Sequence, residues 1–410
     1  MTKDLNFIIV GASIAGCSAA IMLKKSGASV TLIERSESLD SYKKLCTHFI
    51  QPIASPILQE MGFLNFIKQN GLQSKAKFYT PAGIIESLGP YKQQENSEGI
   101  YAYNIERSVL DPALKKLVLE NDIDLKLGAN FKEVRFIDNK CEVYIEENGK
   151  NVELICDILI AADGRTSNVA QFCNLGTQEF QNDRLTLFAY FDGYPFSDVE
   201  SHQSHFVIDE NDMGFIYPLP NNKVLLSWYY DKNVQIKLSN KDERINFLLD
   251  KMTKAFPDFQ FDSLKCISNV YGYNHFPNQT RNQIFKNIAF IGDACASMDP
   301  MSGVGCSLAI KSAYLLKEAY VKFKLDGVPL LEEYEQRYCE EIIPHLKGII
   351  ADSKINYNQD KNSVIKKYLP IVKDESLSND YINLTGRLIY PKDFQLKYLK
   401  NSVKFKKNKI

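Results

Sequence analysis

Tryptophan is nearly missing from this chain of 410 residues, which has one, Trp228. An excess of either charge is missing too. Lys and Arg number 49 against 50 Asp and Glu, a net charge of −1, which argues against a nucleic-acid binder. The nine cysteines include no C-x-x-C pair and their count is odd, so neither a disulfide framework nor a zinc cluster is expected. No metal is expected, and the usage fits the reducing cytoplasm. No apolar run is long enough to span a membrane. The N-terminal apolar run is broken by glycines and polar residues and has no strong basic leader, so it reads as strand and helix, not as a signal peptide. Internal repeats and low-complexity segments are absent.

What is present begins at Phe7. Phe7-Ile8-Ile9-Val10 has the pattern of a buried parallel strand, ended by Gly11. A helix rich in small residues follows, then a turn at Gly27 and a second apolar strand ending at Glu34-Arg35. This β-α-β unit suits a dinucleotide. Gly11 permits the tight turn, Gly16 the close approach of helix and strand, and the helix N-terminus receives a pyrophosphate beside Ser13 and Ala15. Glu34, about 20 residues on, can accept a ribose hydroxyl. Ser13 stands where the fingerprint has its second glycine; it is small and can donate its own hydroxyl.

Further along, Cys46-Thr-His-Phe-Ile-Gln51 gathers short polar side chains in a loop, which makes His48 and Gln51 candidates for touching the substrate. Helices are expected at 54–61 and 64–68, and another begins near Arg107. Strands at 132–137 and 141–146 should be joined by the turn Asp138-Asn139-Lys140. Ile158 to Ala161 is a buried strand running into Asp163-Gly164, by itself a turn signal at the ligand-binding end of a sheet. Residues 185–230 alternate as half-buried antiparallel strands, with Phe215 and Tyr217 as the expected pocket lining. The strand ending at Gly292-Asp293 leads through Pro300, Gly303, Val304 and Gly305 into a long helix, again leaving backbone N–H groups free for a negative ligand. Beyond about 325 the chain reads as helical, then irregular, and its lysine-rich end reads as a solvated face or loose tail.

GASIAG with Glu34-Arg35, ADGRTS at 162–167 and IGDACASMDPMSGVG at 291–305 together resemble the flavoprotein monooxygenase family typified by para-hydroxybenzoate hydroxylase, over roughly the first 330 residues. The resemblance implies an α/β fold: a Rossmann-like FAD-binding domain (1–75, 104–184, 275–330) interleaved with a mixed β-sheet substrate domain (76–103, 185–274), and a C-terminal helical region (331–410). It implies FAD with its pyrophosphate at Gly11–Gly16 and its adenosine ribose at Glu34. Arg107 would lie near the flavin-side phosphate or ribityl chain, Asp293 at the ribityl hydroxyls, and Pro300–Gly305 beside the reactive flavin edge. Asp163-Gly164 is similar to a motif associated with both FAD and reduced nicotinamide. NADPH or NADH would visit transiently, since no second glycine-rich β-α-β fingerprint exists. Ser13 and Cys295, where many of the hydroxylases have glycine and a following Ala-His, depart from the pattern. The related halogenases carry a W-x-W-x-I-P signature, which one tryptophan cannot supply. The resemblance therefore implies hydroxylation or epoxidation of a hydrophobic small molecule, aromatic or polyene-like. A geranylgeranyl-reductase-like reductase of prenyl chains and a non-catalytic FAD-binding protein are the alternatives.

Overall fold

A computed structural model describes residues 4–86, 89–93, 99–194, 202–234, 238–273, 275–354 and 360–407. Asn6–Val10 is a central strand of a six-stranded sheet, with Ser29–Glu34 and Ile158–Ala161 parallel on its two sides. Phe7 to Val10 are all buried, as an uninterrupted apolar strand covered on both faces must be. Asp124–Leu127 extends one edge and Ile288–Phe290 the other, both parallel; the outermost Ile284–Phe285 alone is antiparallel. Ligands of such sheets gather at the strands' carboxyl ends, and here those ends are Gly11, Glu34, Ala162-Asp163 and Ile291-Gly292. Helices Ile14–Lys25 and Gly305–Asp326 pack against each other within the same core.

The hairpin Ala129–Ile137 with Lys140–Glu147 turns at Asp138 and Asn139, whose φ values of 47° and 60° match a two-residue turn with both central residues left-handed. Lys150–Cys156 completes that sheet.

A second, ten-stranded sheet runs through Arg184–Asp192, Lys223–Asp231, Asp212–Leu219, Gln203–Asp209 and Leu72–Thr80. Period-two alternation sends its residues to two cores. Ala189, Phe191, Ile216, Leu226 and Trp228 pack on the helix Lys241–Ala255 through Leu248 and Met252, while Phe188, Phe206, Phe215, Tyr217 and Tyr229 form an aromatic layer opposite.

The C-terminal region is helical as expected, but its lysine-rich end is not a loose tail. Helices Lys361–Val372, Glu375–Thr385 and Pro391–Lys407 are formed there, and Val364, Tyr368, Ile371 and Ile382 are buried in the aromatic layer. Val364, Tyr368 and Ile371 recur at i, i+4 and i+7, one face of a helix; Lys366 is on the opposite face, while Lys367 lies beside them with its Nζ 5.3 Å from the Tyr368 ring centroid.

Candidate functional site

Gly11 has φ +104°, and a Cβ there would meet the Ala162 carbonyl oxygen at 2.6 Å. A Cβ on Gly16 would lie 1.8 Å from the carbonyl oxygen of Gly11. Two neighbouring strands and a helix thus close to a distance that glycine permits. Ser13 occupies the N-cap position of the helix Ile14–Lys25 without capping it; its Oγ accepts instead from Arg107 Nη2 at 2.9 Å. The N–H groups of Ile14, Ala15 and Gly16 are left without helical acceptors. Glu34 Oε2 accepts from the Ala12 N–H at 2.8 Å and Oε1 from the Ser36 N–H at 2.9 Å, so the carboxylate is fixed while each oxygen keeps a second lone pair. Exposed Arg35 lies beside it.

The other two turns reach the same place. Asp163 Oδ2 accepts from the Val169 N–H at 3.1 Å, while its buried Oδ1 has no partner, and burial pushes this carboxyl's pKa up. A Cβ on Gly292 would fall 2.8 Å from that of Ala15, so the Asp293 turn sits directly on the start of the first helix. Asp293 accepts from Lys43 Nζ at 2.8 Å. Asp299 accepts from the Met301 N–H at 3.0 Å, shaping the Pro300–Ser302 turn, and Gly303 follows at φ +60°. Val304 offers no side-chain cap to the helix Gly305–Asp326, and beside Gly305 a Cβ would meet nothing within 4 Å.

Arg107 ties these parts together. It is buried, and Asp111 accepts from its Nε at 2.7 Å and from its Nη2 at 2.8 Å, one helical turn along. Its Nη1 lies 3.7 Å from the sulfurs of both Cys46 and Cys306. Hydrogen bonding from the Cys306 thiol, with help from the Arg107 cation, holds the Cys46 pKa well below its usual value; that same bond and burial push Cys306 up.

His48 and Gln51 stand one layer behind the cavity wall. The Arg107 backbone N–H donates to His48 Nδ1 at 2.7 Å, which leaves the ring proton on Nε2, hydrogen-bonded to the Tyr190 hydroxyl; that hydroxyl donates to the Cys46 carbonyl at 3.3 Å. Burial lowers the His48 pKa, keeping the ring neutral. The Gln51 N–H donates to Ser307 Oγ at 2.7 Å, and its Nε2 donates to the Ser302 carbonyl at 3.4 Å, behind the Pro300–Gly305 turn.

One cavity of about 690 Å³ joins these turns. Gly11, Ser13, Ala15, Glu34, Arg35, Arg107, Asp163, Gly164, Asp293, Pro300, Gly303, Val304 and Gly305 line it; Gly16 sits just behind, and His48 and Gln51 are outside. Phe49, Phe188, Tyr229, Tyr273 and Phe276 line it as well. Phe215 and Tyr217 do not line it. They lie deeper in the aromatic layer, where Phe215 packs on Phe206 and Tyr229, and Tyr217 on Phe49, with the C-terminal helices joining the same layer. Strand alternation identified the face of the sheet but not which part of it stays uncovered. Cys46, Cys306 and Lys43 were also missed, because nothing local marks residues that meet across 250 or more positions.

The residues suit an extended dinucleotide: uncapped helix starts for phosphate, fixed carboxylates for hydroxyls, and an orphaned buried oxygen at Asp163. The chain belongs to the FAD binding domain family, whose model matches residues 4–337. FAD is its cofactor, and it is an FAD-dependent oxidoreductase. It is 25% identical to digeranylgeranylglycerophospholipid reductase 2 of Methanococcoides burtonii, covering 89% of this chain and 88% of that one. It is 24% identical to a flavin-dependent monooxygenase from an unknown prokaryotic organism, over 82% and 86% of the two chains. The crystal structure of a flavoprotein/dehydrogenase from Cytophaga hutchinsonii shares the fold with a TM-score of 0.78 at 17% identity, over 98% and 97%. Among the described residues, no helix is long and apolar enough to cross a membrane, and no His, Cys, Asp and Glu group could hold a metal ion.

Proposed function

We propose that this chain is a monooxygenase that uses NADPH or NADH, together with O2, to hydroxylate or epoxidise a hydrophobic, aromatic small molecule. One observation carries the reading: the dinucleotide-type turns and an aromatic wall open into the same cavity. Bound FAD supplies hydride acceptance and oxygen transfer; the protein binds, orients and excludes water. Free N–H groups at Ile14 to Gly16 would hold pyrophosphate, Glu34 the ribose, and Asp293 the ribityl hydroxyls, exchanging part of its contact with Lys43. The N–H groups at Gly305 to Ser307 would favour negative charge at the adjacent flavin edge. Phe188, Tyr229, Tyr273 and Phe276 would seat a planar apolar guest by edge and offset contacts. His48 would act as a positioning residue, holding the Arg107 backbone and Tyr190, and Gln51 as a brace for the Pro300–Gly305 turn. In this reading segments 1–75, 104–184 and 275–330 hold the cofactor, and 76–103 with 185–274 form the substrate wall, joined there by Phe49 and Phe276.

A second reading, reduction of a prenyl chain, is favoured by the likeness to the digeranylgeranylglycerophospholipid reductase. The test is NAD(P)H oxidation by the purified holoprotein with aromatic and prenyl substrates, in air and under argon. Substrate-dependent turnover that needs O2 and yields an oxygenated product supports the monooxygenase, and turnover persisting under argon with a saturated product supports the reductase. No nucleotide oxidation with any substrate would refute both.

A further inference from the structure

Two of the nine cysteines face each other inside the cavity. Cys46 Sγ and Cys306 Sγ are 3.7 Å apart although 260 positions separate them. Their surroundings differ in a way that assigns roles. Cys46 Sγ accepts the His48 backbone N–H at 3.3 Å, a contact Cys306 lacks; Arg107 Nη1 lies 3.7 Å from both sulfurs, and the two thiols stand within hydrogen-bond reach of each other. A backbone N–H and a guanidinium N–H thus converge on Cys46 with a second thiol beside them, which is the environment of a thiolate. Cys46 is also half-buried on the cavity wall, within 41–48, a stretch with no helix or strand to hold it rigid. Cys306 is buried in the first turn of the helix Gly305–Asp326, where its contact with Cys46 and burial push its pKa up.

We propose that Cys46 and Cys306 form a redox-active dithiol site, in which Cys46 is the attacking thiolate and Cys306 the resolving thiol, and hydrogen peroxide is the oxidant. The Cys46 thiolate attacks one peroxide oxygen; the O–O bond breaks, hydroxide leaves, and Cys46 becomes a sulfenic acid. Cys306 sulfur then displaces the hydroxyl of that sulfenic acid, its proton leaving with the oxygen as water. Overall, two thiols lose two electrons and two protons, and one peroxide becomes two waters. The sulfurs must close from 3.7 Å to a bond of about 2.05 Å, which the irregular segment around Cys46 permits. Closure withdraws the sulfur charge from Arg107, whose Nη2 reaches Ser13 at the first turn.

The test is peptide mapping of the holoprotein after peroxide treatment and alkylation, without reductant. The expected result is loss of two of the nine thiols and a link between the tryptic peptides 45–68 and 287–311, reversed by dithiothreitol. Fragment spectra must place the link at Cys306, since Cys295 shares its peptide. Cys306→Ser should stop at a dimedone-reactive sulfenic acid on Cys46, and Cys46→Ser should slow thiol loss at Cys306 at least tenfold. Retention of all nine thiols overturns the proposal. So does a link elsewhere, such as between Cys141 and Cys156, which oppose each other on adjacent strands. Oxidation of Cys306 in Cys46→Ser at the parent rate would overturn the assignment of Cys46 as attacking group. None of these readouts depends on which substrate the enzyme turns over.

Discussion

Replacing Gly16 with alanine tests the architecture at its tightest point. The new Cβ would lie 1.8 Å from the Gly11 carbonyl oxygen, and that atom is backbone with nowhere to rotate. Ordinary contact needs about 3.4 Å or more, so the helix start and the turn must part by roughly 1.5 Å. Overpacking of this kind costs about 1–3 kcal/mol, and a clash with backbone belongs at the upper end. The same displacement moves the N–H groups of Ile14 to Gly16 away from a phosphate. Losing two charge-assisted hydrogen bonds of about 1.5 kcal/mol each predicts FAD binding weaker by at least ~100-fold. Gly305→Ala is the contrasting variant. Its Cβ meets no protein atom within 4 Å, and alanine in a helix gains up to about 1 kcal/mol over glycine, so the apoprotein should be at least as stable as the parent. Its methyl group enters the cavity, however, and FAD should bind more weakly. Flavin-fluorescence titration of apoprotein measures the affinities and urea unfolding the stabilities. If Gly16→Ala matched the parent in both, or Gly305→Ala left FAD affinity unchanged, the placement of the cofactor between these two helix starts would be refuted.

Arg107→Met should destabilise the protein by about 3–5 kcal/mol because it strands a buried Asp111 carboxylate, while Arg107→Met with Asp111→Leu should recover most of that loss; a double-mutant cycle in urea measures the coupling. Burial lowers the His345 pKa to about 3, and its Nδ1 has no hydrogen-bond partner. The unfolded state takes up a proton near pH 6.5 that the folded state refuses, so this contribution is full above pH 6.5 and falls as pH drops from there towards 3. Urea unfolding at pH 7 and 4.5 should show the decline, and His345→Gln should flatten it. Deleting residues 361–410 should uncover the aromatic layer around Phe78, whose ring meets Tyr381 at 5.2 Å, and give self-association on gel filtration and increased binding of an apolar dye.

The parts legible in the sequence were those specified by neighbours in the chain. A buried apolar strand ending in glycine, or an acid at a strand's end or up to three positions past it, is a local pattern, and it located Gly11, Glu34, Asp163 and Asp293 at the carboxyl ends of one sheet. The turn at Asp138-Asn139 was legible for the same reason. Contacts between distant segments were not. Phe188, Tyr229 and Phe215 all belong to one aromatic layer, yet what decides which of them sees the cavity is where the C-terminal helices and the Phe49 segment lie, and strand alternation carries no information on that. His48 looked catalytic because polar neighbours surround it. Its φ of 59° and its acceptance of the Arg107 N–H give it a different place, at the start of a helix 59 positions away. Helices were expected over the C-terminal region as a whole, but the burial of Val364, Tyr368 and Ile371 in the aromatic layer was obscured by the lysine content.

Among the described helices of twelve or more residues, the way each begins separates structural from ligand-binding helices; shorter ones such as Ile343–Asp352 also start without a cap or a first-turn acid. Ser167, Asn240, Asp360 and Asp374 cap theirs with side-chain oxygens, each contact stabilising a helix start by about 1 kcal/mol. The helix Arg107–Glu120 has His48 in that role, and Leu330–Glu341 and Pro391–Lys407 carry acids in the first turn. Among the described helices of twelve or more residues, the two beginning at Ile14 and Gly305 have neither a capping side chain nor a first-turn acid. Ser13, which has a hydroxyl able to cap, gives its oxygen to Arg107 instead. The stabilisation forgone at these two starts is the complement of what a negative ligand restores, since N–H groups left without acceptors and exposed to a cavity gain most from phosphate or from charge on a flavin edge. FAD should therefore raise the unfolding midpoint by bracing both helices together, and because they pack on each other, a ligand fragment reaching only one start should recover less than half of that increase.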